Sequence, residues 1–201
     1  MNILAHLYLS GRPSPEMVGN FIGDFIKGIK LSSFSEPVRK GILIHREIDT
    51  YTDRHPVVSA SKDRLRAEHR HYSGVIVDIF YDHFLAARWN QFSGIDLNEY
   101  LGEVYSYLEM NKLVLPDRAA NFLSAAKKGK WVQNYATIDG IQRVLRGMDT
   151  RTKFNSNMEC ACEQLTIHYQ EFEEEFLEFF PELEKHTEIF SSEMAKKRGS
   201  A

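Results

Sequence analysis

Two aspartates interrupt the most apolar helical segment of this chain. From Tyr72 to Phe92 apolar residues recur at three- and four-residue intervals, which predicts one long helix. Asp78 and Asp82 lie four residues apart in it, so they project from one face, in the middle of an apolar stripe. The opposite side is largely apolar too, which is typical of a buried helix. Two buried carboxylates lose hydration and repel each other unless a partner such as a divalent cation compensates them.

The helix predicted before this one repeats the pattern. It begins at Ser35, a possible N-cap with proline in the first turn, and continues to about Asp53. His45 and Asp49 lie four residues apart on its apolar side. Asp24 belongs to an earlier predicted helix, from Pro15 to about Gly28, whose glycines would allow a neighbouring helix to approach closely. Imidazole and carboxylate ligands together suit manganese, iron or zinc.

These residues define a candidate metal and catalytic site. The preferred metal ligands are Asp24, His45, Asp78 and Asp82. His6, Asp49 and His83 are additional ligands or groups that orient the ligands or move a proton. Phosphate would also need cationic partners, and the candidate guanidinium groups are Arg46, Arg143 and Arg151.

Each of these residues also has a structural explanation. His6 and His83 could be hydrogen-bonded core histidines, and Asp78 and Asp82 could be paired with arginines from other helices. Asp24 could be a cap or a surface residue. A site is favoured because three predicted helices each place a carboxylate or an imidazole on an apolar face.

The rest of the chain predicts an all-α fold, an irregular helical bundle. Further helices are expected at Leu97–Met110, Pro116–Lys127, from Thr137 to about Gly147, and from Asn157 to a stop at Pro181. One domain is expected over residues 1–195, followed by a frayed tail at 196–201.

Composition excludes several classes of protein. A formal net charge of −3 gives no electrostatic case for nucleic-acid binding. No apolar run approaches the ~20 residues of a membrane helix, and the opening Met1–Leu9 is a poor signal peptide. Cys160 and Cys162 would point in different directions on a helix, which favours neither a disulfide nor a zinc pair. We therefore expect a soluble cytoplasmic protein.

The same residues resemble the acyl carrier protein phosphodiesterase family. The resemblance spans most of the chain, in the order of the family. Its matching residues are Met1-Asn2, Leu4-Ala5-His6, Gly19-Asn20, Asp24-Phe25, Gly28, Gly41-Ile42, His45-Arg46, Ile48-Asp49, Thr52-Asp53, Pro56, Asp78, Asp82-His83-Phe84-Leu85, Trp89, Gln142, Val144-Leu145, Gly147-Met148 and Arg151.

This resemblance implies a fold and an activity. The fold would be a distorted version of the His-Asp metal-dependent phosphohydrolase fold. The reaction would be hydrolysis of the bond between 4′-phosphopantetheine and the serine of acyl carrier protein, with Mn²⁺ favoured and Mg²⁺, Fe²⁺ or Zn²⁺ possible. The acidic carrier protein would be the partner, and the basic residues interleaved between Lys27 and Arg70 would steer it to the site.

Two other functions stay open from the sequence. One is a phosphohydrolase of nucleotides or another small phosphate ester, with the same metal chemistry. The other is a metal-free helical adaptor whose inward charges form salt bridges. The oligomeric state is open as well.

Overall fold

A computed structural model describes residues 1–150 and 156–196 of the chain. Within these two stretches it contains helices, turns and loops but no strand, so the predicted all-α class is confirmed. The α-helices are α1 (Ile3–Leu9), α2 (Pro15–Ile22), α3 (Glu36–Arg54), α4 (Pro56–His69), α5 (Ser73–Ala87), α6 (Trp89–Phe92), α7 (Leu97–Met110), α8 (Asp117–Gly129), α9 (Trp131–Asn134), α10 (Ile138–Asp149), α11 (Ala161–Ile167) and α12 (Tyr169–Lys196). The predicted tail lies outside the described residues except for Lys196, which ends α12.

Several helices begin where polar residues satisfy the first backbone N–H groups. Ser14 accepts a hydrogen bond from Met17 N at 3.2 Å at the start of α2. The predicted cap Thr137 accepts one from Gly140 N at 3.1 Å at the start of α10. Ser35 occupies the N-cap position of α3 with an extended backbone, but its side chain makes no capping bond there.

Helix α5 is the centre of the bundle. From Ile79 to Ala86 every residue is buried, and α1, α4, α10 and α12 all pack against it. The predicted helix from Tyr72 to Phe92 begins one residue later, at Ser73, and is divided at Arg88, although its predicted end at Phe92 is confirmed. A 3-10 turn precedes Ser73, and Arg88 (φ −103°, ψ 16°) separates α5 from α6.

The prediction that the last helix runs from Asn157 to a stop at Pro181 is also wrong. The segment divides into a 3-10 turn, α11 and α12, and α12 continues through Pro181 to Lys196. Proline in a helix interior removes one backbone hydrogen bond and costs roughly 3 kcal/mol. The helix continues because Leu183 and Thr187, which follow the proline, are buried against the bundle.

Helices α2 and α3 approach each other through two glycines. A Cβ on Gly19 would lie 2.0 Å from the Val38 carbonyl oxygen, and a Cβ on Gly41 would lie 1.8 Å from the Glu16 carbonyl oxygen. Gly23 leaves room for the His45 ring, because its Cβ would lie 2.2 Å from His45 Cγ. This close packing brings the turn after α2 next to α3.

We expect Gly41→Ala to lower the free energy of unfolding by about 2 kcal/mol, since the added methyl group overpacks the contact between two backbones. Gly102→Ala is the matched control, because Gly102 is an exposed residue of α7 whose Cβ would meet no atom within 4 Å. The control should gain up to ~1 kcal/mol from helix propensity. Urea unfolding measures both variants, and equal changes in the two would contradict the proposed backbone contact.

Candidate active site

Two histidines and two aspartates from α1, α3 and the turn after α2 converge at one place. Asp49 contacts both imidazoles: its Oδ1 lies 3.2 Å from His6 Nε2 and its Oδ2 lies 3.2 Å from His45 Nε2. Asp24 Oδ1 lies 3.4 Å from His45 Nε2. The rings of His6 and His45 stack with centroids 4.0 Å apart. One ligand atom from each of His6, His45 and Asp49 lies within 4.8 Å of the others.

Asn20 determines which nitrogen of His6 carries the proton. Its Nδ2 donates to His6 O at 2.9 Å and to Ser10 Oγ at 2.8 Å, so its Oδ1 faces the ring. His6 Nδ1 lies 2.9 Å from that Oδ1 and must therefore donate to it. In the neutral ring the lone pair is then on Nε2, the atom that faces Asp49.

This arrangement places two hydrogen-bond acceptors opposite each other. Burial lowers the pKa of His6, although the contact with Asp49 opposes that shift. A neutral His6 and an ionised Asp49 present a lone pair and a carboxylate oxygen only 3.2 Å apart. Such a pair requires a proton or a cation between its members. The donor set of two imidazole nitrogens and a carboxylate fits a divalent transition metal.

The charges of the other members follow from the same contacts. Burial lowers the pKa of His45, but hydrogen bonds to Asp24 and Asp49 outweigh it and raise this pKa to about 9. Burial raises the pKa of Asp49, but the hydrogen bond to His45 is the largest of the effects that outweigh it and hold this pKa below its usual range. The bond to His45 also lowers the pKa of Asp24. Without a metal, the protonated His45 therefore lies between two carboxylates.

Asp78 lies at the wall of the same acidic pocket, beside the amino terminus. Its Oδ1 is 3.3 Å from the Met1 ammonium, which is also 3.5 Å from Asp49 Oδ1. Burial raises the pKa of Asp78, while the ammonium opposes the rise. The pocket has a volume of about 340 Å³, and Asp24, Asp49 and Asp78 all line it.

Asp82 has partners that the sequence did not predict. Its Oδ2 accepts from Leu4 N at 2.7 Å and its Oδ1 accepts from Ala5 N at 3.0 Å, so it satisfies two N–H groups at the start of α1. The side chain is fully buried. Burial raises its pKa to about 7, against the two backbone bonds. Both oxygens of Asp82 therefore accept backbone hydrogen bonds.

His83 is not among the residues that line the acidic pocket. Its Nδ1 donates to Tyr135 O at 2.7 Å, and its Nε2 lies 3.0 Å from the Tyr169 hydroxyl. This geometry is that of a hydrogen-bonded core histidine, the structural alternative named above. It connects α5 to the segment after α9 and to α12.

Two of the three predicted phosphate-binding arginines lie on different helices of the described residues. Arg46 is exposed on α3, one residue after His45. Arg143 is exposed on α10 and lines a separate cavity next to the acidic pocket. Arg151 lies outside the described residues. Part of the predicted basic surface is neutralised within the chain, since Arg64 pairs with Glu175 at 2.8 Å and Lys62 pairs with Asp53 at 2.7 Å.

Sequence reasoning did not assign roles to Asn20 or to the Met1 ammonium. Asn20 had one usable signal, because it is a polar residue on the apolar α2, six residues after the Ser14 cap. The position of the Met1 ammonium depends on how α1 packs against α3 and α5, and no local sequence pattern indicates it. In the described part of the chain no helix has the length and apolar character that crossing a membrane requires.

Comparison with known proteins agrees with the resemblance seen in the sequence. The profile of the family described as acyl carrier protein phosphodiesterase matches residues 1–183. An acyl carrier protein phosphodiesterase of Enterobacter sp. (strain 638) is 33% identical over 187 residues, which cover 91% of this chain and 95% of the relative. Proteins of the same name from Salmonella agona (strain SL483) and Salmonella newport (strain SL254) are 32% identical with the same coverage. No solved structure gives a significant match. The chain therefore belongs to the acyl carrier protein phosphodiesterase family.

Proposed function

We propose that this chain is a metal-dependent phosphodiesterase that removes 4′-phosphopantetheine from the serine of holo-acyl carrier protein. The name of its relatives supports the substrate. The observation that carries the metal dependence is the approach of His6 Nε2 to Asp49 Oδ1 at 3.2 Å, with the proton of the neutral ring held on Nδ1 by Asn20. Among divalent ions Mn²⁺ is the first candidate, and Mg²⁺, Fe²⁺ and Zn²⁺ are the others.

The proposed ligands are His6, His45 and Asp49, with Asp24 beside them. A bound divalent ion would polarise the phosphoryl oxygen and lower the pKa of a water molecule. Asn20 orients the His6 ring through its hydrogen bond to Nδ1, as outer-shell partners do in metal sites. The side chain of Asp24 is 76% exposed and stays at the opening of the pocket.

The reaction consists of one displacement at phosphorus. The water oxygen forms the new bond to phosphorus and the bond to the serine oxygen breaks. The proton lost by the water balances the one gained by the serine oxygen. Asp24 and Asp78 both line the pocket where phosphorus would lie, so either carboxylate can receive the proton of the water.

Mass spectrometry of the carrier protein tests this function. Holo-carrier incubated with the enzyme and Mn²⁺ should lose the mass of phosphopantetheine, and a chelator should prevent the loss. An unchanged carrier together with rapid nucleotide hydrolysis would instead favour the nucleotide phosphohydrolase.

The partner proposed for this reaction is acidic, and exposed basic residues lie close to the pocket. Lys27 and Lys30 are exposed on the segment that follows Asp24, and Arg46 is exposed on α3. Such a rim would raise the association rate with an acidic protein, and salt would reduce this effect.

Metal binding should have a characteristic dependence on pH. In the metal-free protein the pKa of His45 is raised from 6.5 to about 9. Its stabilising contribution is therefore complete below pH 6.5 and is lost as the pH rises through 9. Mn²⁺ competes with the proton for the ring nitrogen, so its stabilising effect should grow with pH. At a concentration of about 100 Kd the gain is roughly 2.7 kcal/mol.

Denaturant unfolding at pH 6 and pH 8, with Mn²⁺ or with chelator, measures both effects. His45→Gln should remove the contribution of His45 to the pH dependence of the metal-free stability and the rise of the Mn²⁺ effect with pH. His168→Gln is the control, because His168 is a partly exposed histidine that pairs with Glu171, and neither residue lines the acidic pocket. If Mn²⁺ gives no stabilisation at either pH, the metal-free adaptor is favoured.

A further inference from the structure

A second cavity of about 360 Å³ lies between α8, α9 and α10. Its walls are largely apolar, with Phe122, Trp131, Val144 and Met148 among the lining residues. Its volume is within the range of about 300–1,000 Å³ typical of small-molecule sites. None of the residues proposed to hold the metal lines it, so its role is separate from the chemistry at phosphorus.

This cavity adjoins the acidic pocket. Asn2 and Met148 line both of them. Asn2 and Met148 thus lie at the boundary of the two cavities, and the arm of a ligand whose phosphate lies beside Asp49 would pass these two residues to reach the second cavity. Arg143, which also lines the second cavity, adds a positive charge on that side.

The substrate of the proposed reaction has two groups on its phosphate. One is the serine of a folded protein, which must stay outside the pocket. The other is the pantetheine arm, which carries two methyl groups, a hydroxyl, two amides and a thiol. Such an arm needs apolar walls and a few polar partners.

The polar partners are present in the cavity. Asn134 donates its Nδ2–H to Gly129 O at 3.3 Å, while its Oδ1 makes no hydrogen bond within residues 1–150 and 156–196. That oxygen can accept an amide N–H of the arm. Phe122 and Trp131 pack edge to face with their centroids 5.8 Å apart and form an aromatic wall for the methyl groups.

We propose that the second cavity binds the pantetheine arm of the substrate and gives the enzyme its preference for phosphodiesters that carry this arm. This assignment rests on the proposed function for its physiological meaning. The binding of pantetheine itself can be measured without any catalysis.

Gly147 allows a direct test by filling the cavity. It lines the cavity, and an added Cβ would meet no atom within 4 Å. Gly147→Leu should therefore fold and occupy the space of the arm, and Gly147→Ala should occupy less of it. Gly102→Leu is the matched control, because Gly102 is an exposed helical glycine of α7 with equally open space.

The first measurement is calorimetric titration with pantetheine, which has no phosphate. Wild type and Gly102→Leu should bind pantetheine with equal affinity. Gly147→Leu should bind it at least about tenfold more weakly, because a change of one methylene in an apolar pocket already has an effect of this size. Gly147→Ala should fall between them. No binding to the wild type, or equal binding to all variants, would overturn the assignment.

The second measurement compares holo-carrier with bis(p-nitrophenyl) phosphate, a diester without the arm. In Gly147→Leu the kcat/KM for holo-carrier should fall at least about tenfold more than that for the small diester. An equal fall for both substrates would overturn the proposal. Wild-type enzyme that binds pantetheine but leaves holo-carrier uncleaved would count against the proposed function and not against the arm cavity.

Discussion

Asp49→Asn is expected to lower kcat/KM for holo-carrier protein by about 10³-fold, with Mn²⁺ present. The reason is that each oxygen of Asp49 faces a different imidazole nitrogen at 3.2 Å. Asparagine keeps the shape but loses the negative charge, and its NH₂ group has no lone pair for a metal. Loss of one pre-organised electrostatic contact alone typically costs 10²–10³-fold, roughly 2.7–4 kcal/mol. A lost ligand also reduces the amount of bound metal.

Two further variants make this result specific. Asp63→Asn removes an exposed carboxylate that pairs with Arg66 on α4, and it should retain wild-type activity and metal content. Asp49→Glu keeps the negative charge and should retain part of the activity and part of the metal content. Metal content is measured by elemental analysis after purification without chelator. Full activity of Asp49→Asn would contradict the proposed ligand set.

Asp82→Ala is expected to lower the free energy of unfolding by about 4 kcal/mol. The truncation leaves Leu4 N and Ala5 N without the acceptors that lie 2.7 and 3.0 Å away. Each buried unsatisfied donor costs roughly 1–3 kcal/mol. Asp82→Asn retains one acceptor oxygen and should lose about half as much.

Thr137→Ala provides the comparison for Asp82→Ala. Thr137 accepts one bond at the start of α10, from Gly140 N at 3.1 Å, and its loss should cost about 1 kcal/mol. Urea unfolding in the presence of chelator separates the cap from a metal role, since a ligand would not contribute to stability there. A loss in Asp82→Ala no larger than that in Thr137→Ala would contradict the capping role.

Local signals predicted much of the helical framework. Leu97–Met110 has the bounds predicted for it, and Thr137 is the cap that the sequence indicated. These predictions depend on contacts within one turn, between a polar side chain and the next backbone N–H groups. The pairing of His45 with Asp49 is local in the same sense, because residues four apart on a helix are neighbours.

Contacts across the bundle overrode other local signals. Pro181 should end a helix, yet α12 passes through it because the residues beyond are buried. Asp78 and Asp82 share a face of α5, but one lies beside the Met1 ammonium and the other receives two backbone N–H groups of α1. Spacing along a helix shows that two charges point the same way and leaves open which partner each will meet.

The sequence alone determined the helical class and the need of the buried charges for partners, because periodicity and desolvation depend only on residue type and spacing. Its resemblance to known proteins indicated the family. Tertiary packing decided which partner each charge received. Asn20 faces His6 only because α1 packs against α2. Asp49 reaches His6 only because Gly19 and Gly41 allow α3 to pack closely against α2. These contacts join residues 14 and 43 positions apart, a separation at which no local pattern specifies geometry.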